Sequence, residues 1–198
     1  MDQAVEVLDT PADAEADMEL MARVAASDPS AQRVLVQRLA GRVRKLAGLL
    51  CRNAADADDA VQLALLEILR SAQTFRVATS LERWAERITI RATLQTARRE
   101  RARKGLLERW LPADVQPWGS SATEPAVDQI GLDTLLQRLS SERHQAFVLH
   151  HALDYTVDEI SELTGAPVGT VKDRLVTARK QLRRLLDLEL RASTGEVR

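Results

Sequence analysis

Cysteine, aromatic residues and long apolar runs are all scarce in this chain, and each scarcity excludes something. A single cysteine in 198 residues, Cys51 between Leu50 and Arg52, rules out an internal disulfide framework. Its setting fits a buried, inert thiol better than a redox centre. His144, His150 and His151 do not make a zinc ligand set with that lone thiol, so no metal is expected and the histidines are assigned surface or helix-capping roles. No apolar run approaches the roughly 18 residues of a membrane span. The N-terminus MDQAVEVLDTPADAEADMEL is acidic where a secretory signal would be basic and then apolar. A cytoplasmic protein without membrane insertion is expected. Aromatics make up only 3% of the chain, and Val-Ile-Thr-Tyr runs of period two are few, which argues against a sheet. There is no glycine-rich phosphate loop, no activated-nucleophile constellation and no metal-ligand cluster, so neither catalytic residues nor a cofactor is expected.

What the chain does have is 45% hydrophobic residues, enough for a core, and an abundance of Ala, Leu, Arg and Glu, which predicts an all-α fold. Its net charge of −1 conceals a strong sorting of charge along the sequence. The first twenty residues hold Asp2, Glu6, Asp9, Asp13, Glu15, Asp17 and Glu19 and no Lys or Arg, whereas Arg83 to Lys104 holds eight basic residues against Glu86 and Glu100. A second basic run extends from Lys172 to Arg191. Two separated cationic helices suggest two contacts with a polyanion, because bases that neutralise phosphates release counterions. Solvated helix faces would give the same pattern.

Periodicity divides the chain into an acidic extension (1–16), disordered or loosely helical, a helical domain (17–104), an irregular acidic linker (105–131), a second helical domain (132–190) and a tail (191–198). In the first domain, Asp28-Pro29 starts a helix whose Val34, Leu35, Leu39, Val43, Leu46 and Leu50 return to one face. The next helix starts after Asn53, with Asp56, Asp58 and Asp59 near its first turn, and runs to about Ser71. Ser80 is the expected N-cap of the basic helix, with Leu81, Trp84, Ile88, Ala92 and Gln95 as its inner stripe and Arg87, Arg91 and Arg98 outward. Trp84 is read as a core residue. In the linker, Pro112, Pro117 and Pro125 with Gly119, Ser120 and Ser121 interrupt any element. Helical periodicity then resumes at Leu132 and continues through His151.

The segment EISELTGAPVGTVKDRL fits two helices around a tight corner. Thr156 and Glu159 make a capping box, Gly165 can close the first helix in the left-handed conformation, and Pro167 suits the start of the second. At 100° per residue, Val171, Leu175, Ala178, Leu182 and Leu185 share a narrow inner face. Opposite lie Gly169, Asp173, Val176, Thr177 and Lys180, flanked by Thr170, Lys172, Arg183 and Arg184. Small and hydrogen-bonding groups at the tip with bases further along suit a helix in the major groove. A purely structural corner would tolerate the same face.

The stretch LQRLSSERHQAFVLHHALDYTVDEISELTGAPVGTVKDRLVTARKQLRRLL resembles region 4 of bacterial RNA polymerase sigma factors of the extracytoplasmic-function type. Arg143, Phe147, Tyr155, Glu159, Ile160, Leu163, Gly165, Pro167, Gly169, Thr170, Val171, Lys172, Arg174, Leu175, Ala178 and Arg179 match that pattern. DADDAVQ (Asp56 to Gln62) is similar to part of region 2, as is RWAERITIRATLQTARRERAR. The resemblance implies that Asp56, Asp58, Asp59 and Gln62 dock on core RNA polymerase, although the acids also complement a helix N-terminus. It implies minus-10 promoter contacts by Arg76, Arg87, Arg91, Gln95, Arg98 and Arg99. Minus-35 contacts fall on Gly169, Thr170, Lys172, Asp173, Arg174, Val176, Thr177, Lys180 and Arg184. Promoter DNA, core polymerase and an anti-sigma factor are the implied partners. The linker would thread toward the polymerase active site, or act as a plain tether.

The chain departs from the family pattern at Leu63-Ala64-Leu65, at Arg91 in place of Asn, at Gln95 in place of Asp, at Asp173 in place of Ser, and at Thr177 in place of a frequent Arg. Asp173 can accept from cytosine N4, and Thr177 cannot make the bidentate guanine contact of Arg, so an unusual minus-35 sequence is expected. Two alternatives share these features: a helix-turn-helix regulator without sigma activity, and a helical adaptor that does not bind DNA.

Overall fold

A computed structural model describes residues 11–76, 78–110 and 132–193. The described residues are all-α with no strand: α1 (Pro11–Ala25), α2 (Pro29–Leu50), α3 (Ala54–Arg70), a short 3-10 turn (Ala72–Thr74), α4 (Leu81–Trp110), α5 (Leu132–Gln137), α6 (Ser141–His151), α7 (Val157–Thr164) and α8 (Val168–Ser193). The chain divides into two compact units between Thr96 and Ala97, a division that α4 crosses.

In the first unit α1 begins at Pro11, so residues 11–16 take the helical one of the two alternatives expected for the extension; residues 1–10 lie outside the described residues. Proline suits a first helical position, and Asp13 complements the N-terminal end of the helix dipole. After a turn at Ser27 (φ 65°), Asp28 caps α2, its carboxylate accepting from the Ser30 amide at 2.8 Å and the Ala31 amide at 3.3 Å. Hydrogen bonds from the Ser30 side chain and then from Arg23 hold that carboxyl well below the usual carboxylate range.

Leu35, Leu39 and Val43 of α2 meet Ala64 and Ile68 of α3, Phe75, and Leu81, Ala85 and Ala92 of α4 in one core. Val34 does not join them: it is 52% exposed, because it lies a full 100° step around the helix from Leu35. Cys51 is buried at the α2–α3 junction, and burial, with a smaller contribution from the Asp56 charge, pushes its thiol up to about 12.

Beside this core are two acids with almost no access to water. Asp17 of α1 and Glu86 of α4 are each 3% exposed. Arg38 of α2 binds Asp17 and reaches Glu82 at 2.7 Å. Arg42 of α2 binds Glu86 at 2.6 Å, with Arg83 on its other oxygen at 3.0 Å. The guanidinium side chains keep 38–49% of their surface in water, whereas the carboxylates are almost fully enclosed and need the cations beside them.

The inner face of α4 differs from the expected stripe. Leu81 and Ala92 are buried as anticipated, but Trp84 and Ile88 are only half-buried and Gln95 is exposed. Thr89 and Thr93 take the interior instead. Their hydroxyls donate to the carbonyls of Ala85 and Thr89, each at 2.8 Å, which removes the cost of burying them. Trp84 sits at the edge of the core, its ring perpendicular to Phe75 with centroids 5.6 Å apart. α4 continues to Trp110, past the expected boundary at 104, because Leu106, Leu107, Glu108 and Arg109 favour helix and outweigh Gly105. The rest of the expected linker, residues 111–131, lies outside the described residues.

In the second unit the helix expected from Leu132 through His151 is two helices. Ser140 occupies the N-cap position of α6 with extended backbone (ψ 154°), which breaks the two helices apart, but its side chain makes no capping bond. Leu135 and Leu139 pack on Ala178 and Leu182 of α8. His144 is buried, which corrects the surface or capping role assigned to it; His150 is half-buried with its Nδ1 meeting the carbonyl of Tyr155, in the loop after α6, at 2.9 Å, and His151 is exposed.

The corner between α7 and α8 follows the sequence closely. The Thr156 amide donates to Glu159 at 2.9 Å, the Glu159 amide returns a bond to the Thr156 hydroxyl at 3.3 Å, and Gly165 closes α7 at φ 66°. Val171, Leu175, Ala178 and Leu182 are buried and Leu185 half-buried. α8 extends to Ser193, three residues beyond the expected end of the domain at 190.

Arg38→Ala leaves Asp17 buried without its cation and should cost about 2–3 kcal/mol in urea denaturation of the full chain, with a smaller loss for Asp17→Asn. Gly165→Ala meets no steric obstacle, since the nearest atom to the added carbon is 3.9 Å away. The left-handed backbone alone should cost about 1–2 kcal/mol, read in the same assay.

Candidate nucleic-acid and polymerase interfaces

The expected minus-35 residues all lie on α8, and buried Val171, Leu175 and Ala178 turn them outward. Gly169, Thr170, Lys172, Asp173, Val176, Lys180 and Arg184 are exposed, while Arg174 and Thr177 are half-buried on the shoulders. Val176 is 47% exposed on this otherwise polar face, where an apolar side chain could meet a thymine methyl. The face is built by local chemistry: the capping box starts α7, Gly165 turns the chain, and the Ser161 hydroxyl holds the Ala166 carbonyl at 2.7 Å.

On α3 the four expected polymerase-contact residues do not form one set. Asp58, Asp59 and Gln62 are exposed on a common face, opposite buried Ala60, Ala64 and Ile68. Asp56 lies on another side, where its amide donates to the Asn53 side chain and its carboxylate accepts from the Asn53 amide group, both at 2.8 Å. It serves the helix start. Leu66, 49% exposed, continues the Asp58–Gln62 face one turn further. Sequence reading missed it because a leucine in an apolar helix looks like core; counting at 100° per residue from Gln62 would have placed it outside.

The expected minus-10 residues spread over α4 and the segment before it. At about 100° per residue, Arg87, Arg91, Gln95 and Arg98 fall within one arc of roughly 80°. Arg91, Gln95 and Arg98 are exposed and Arg87 is half-buried. Arg99 is exposed but lies outside that arc. Arg76 is exposed and ties down its own loop, donating to the carbonyls of Gln73 at 2.9 Å and Phe75 at 2.8 Å. Within the second unit, Arg98 donates to the Thr164 carbonyl and Arg101 pairs with Glu142. Burial first, then the neighbouring charges of Arg98 and Arg174, lowers the Arg101 pKa.

No group of His, Cys, Asp and Glu among the described residues could hold a metal ion, and no helix among them is long and apolar enough to cross a membrane.

Comparison with known proteins adds an independent line. Residues 35–103 match the family model of sigma-70 region 2, and residues 130–182 match that of sigma-70 region 4. A regulator sharing only the helix-turn-helix would match the second of these and not the first. The chain is 34% identical over 171 residues to the ECF RNA polymerase sigma factor SigM of Mycobacterium tuberculosis, covering 86% of this chain and 84% of SigM. The fold is similar to that of the sigma factor RpoE, solved in complex with the anti-sigma factor NepR from Bartonella quintana: the TM-score is 0.54 at 22% identity, covering 77% of this chain and 94% of that one. It is also similar to CnrH, solved with the cytosolic domain of CnrY, with a TM-score of 0.51 at 22% identity over 87% of this chain and 98% of that one. The chain therefore belongs to the ECF RNA polymerase sigma factors and directs transcription initiation as a sigma factor.

Proposed function

We propose that the chain, acting in the cytoplasm, docks on core RNA polymerase through α3, holds the minus-10 element against α4 and reads the minus-35 element with α8. The observation that carries this reading is the outward face of α8, where seven of the nine expected residues are exposed opposite a buried stripe. Lys172, Lys180 and Arg184 supply phosphate contacts that fix register, while Thr170, Asp173 and Val176 present the groups that distinguish bases. On α3, Asp58, Asp59 and Gln62 form the docking face, with Leu66 as its apolar extension. Asp56 contributes by starting the helix and not by contact.

The minus-10 site is assigned to Arg87, Arg91, Gln95 and Arg98, with Arg76 and Arg99 at its margins. Opening a base pair costs a few kcal/mol, which phosphate neutralisation along a row of arginines helps to offset. The chemistry of RNA synthesis belongs to the polymerase. An anti-sigma factor that covers these faces is the third partner, by analogy with RpoE and NepR.

Reconstitution with core polymerase on a promoter library tests the whole reading: specific initiation at a recurrent sequence is expected, and absence of both core binding and specific initiation would sink it. Asp173→Ser should shift the preferred minus-35 sequence with little change in core affinity; an unchanged preference would remove Asp173 from base reading. Asp58→Lys combined with Asp59→Lys should weaken core binding on the order of tenfold or more, measured by competition against the unmodified chain.

A further inference from the structure

α2 carries five basic side chains, Arg33, Arg38, Arg42, Arg44 and Lys45, and no acidic one in its 22 residues. The fold neutralises two of the five, Arg38 with Asp17 and Glu82, and Arg42 with Glu86. Arg33, Arg44 and Lys45 are exposed, and none has a hydrogen bond or ion pair among the described residues. At about 100° and 1.5 Å per residue, Arg33, Gln37, Gly41, Arg44, Lys45 and Gly48 occupy one arc of roughly 120° over about 22 Å, directly opposite buried Leu35, Leu39, Val43 and Leu46.

The two glycines add a second observation. A Cβ built at Gly41 or Gly48 would meet nothing within 4 Å. Neither has a packing reason among the described residues, and alanine would be the better helix former at both. Bare backbone on a cationic face admits close approach of a partner from outside.

The composition of the face selects that partner. Three unpaired cations without a single acid are complementary to a polyanion. An acidic protein would need an apolar centre as well, and a lone half-exposed Val34 within this arc does not make one. There is no aromatic side chain on it to stack unpaired bases, which disfavours single-stranded nucleic acid. We infer that the outer face of α2 binds the sugar-phosphate backbone of duplex DNA without reading its sequence, as a contact additional to those of α4 and α8. The inference rests on the reading that this chain acts on promoter DNA within the polymerase holoenzyme.

The test is the salt dependence of DNA binding by holoenzyme carrying the triple substitution Arg33→Ala, Arg44→Ala, Lys45→Ala. It is measured by fluorescence anisotropy on a selected promoter duplex, on a duplex of unrelated sequence and on a single strand. The slope of log K against log salt should fall by about 2 to 3 on both duplexes, as expected for loss of that many phosphate contacts. Promoter preference and affinity for core polymerase should stay unchanged. Gly41→Ala should raise the melting temperature of the chain while weakening duplex binding. An unchanged duplex slope, a loss confined to the single strand, or a fall in core affinity in its place would each overturn the inference. Any of these with promoter preference intact leaves the assignment of α8 standing, whereas loss of preference on substituting α8 residues tests that assignment separately.

Discussion

Two carboxylates shut away from water constrain how the helices of the first unit meet. Asp17 and Glu86 must each keep a cation, because a buried ion without a partner costs several kcal/mol. The bridging cations, Arg38 and Arg42, come from α2 and the anions from α1 and α4, with Arg83 of α4 as a second cation on Glu86, so the pairs fix three helices at once. Apolar packing alone would let those helices slide, since leucine against leucine tolerates more than one register. The ion pairs do not. The register of α4 in turn sets which of its arginines face outward, and the placement of Arg87, Arg91 and Gln95 is inherited from Glu82 and Glu86 several residues earlier.

The second unit solves the same problem by different means. The orientation of α8 depends on a reciprocal pair of hydrogen bonds at Thr156 and Glu159, one left-handed glycine and a row of small and branched apolar residues. Apart from the Glu159 carboxylate, none of these is a charged group, and Lys172, Lys180 and Arg184 on the outer face of α8 take no part in them. Arginine serves the scaffold here as well, pairing Arg101 with Glu142 and Arg138 with Glu189, but the corner that aims α8 is set by local hydrogen bonds and a glycine, whereas in the first unit long-range ion pairs do that work.

That difference explains what could be read directly from the chain. The corner at Gly165 was legible because each signal is local: a capping box, a glycine and a proline act within a few residues of themselves. The start of α3 at Asn53 and of α4 at Ser80 was legible for the same reason, and the Ser80 hydroxyl does accept from the Arg83 amide at 3.3 Å. The interior of α4 was not, because burying Thr89 and Thr93 depends on hydroxyl-to-carbonyl bonds that hydrophobic counting ignores. Nor could sequence alone separate Arg38 and Arg42 from Arg33, Arg44 and Lys45. All five read as one basic helix until tertiary contacts decide which are neutralised. Among the candidate contact residues, Asp56 parted from Asp58 and Asp59 because a carboxylate near a helix start can serve the helix or a partner, and the Asn53 contact decides between them.

The burial of Cys51 has a practical side. Burial and the Asp56 charge disfavour the thiolate, so Cys51 of the folded chain should react far more slowly with thiol reagents than a surface cysteine. An introduced surface cysteine, on α3, α4 or α8, would then be the single attachment point for a fluorophore or spin label, with the native residue left in place. The approach of each face to polymerase or DNA could be followed one probe at a time without first repacking the α2–α3 junction.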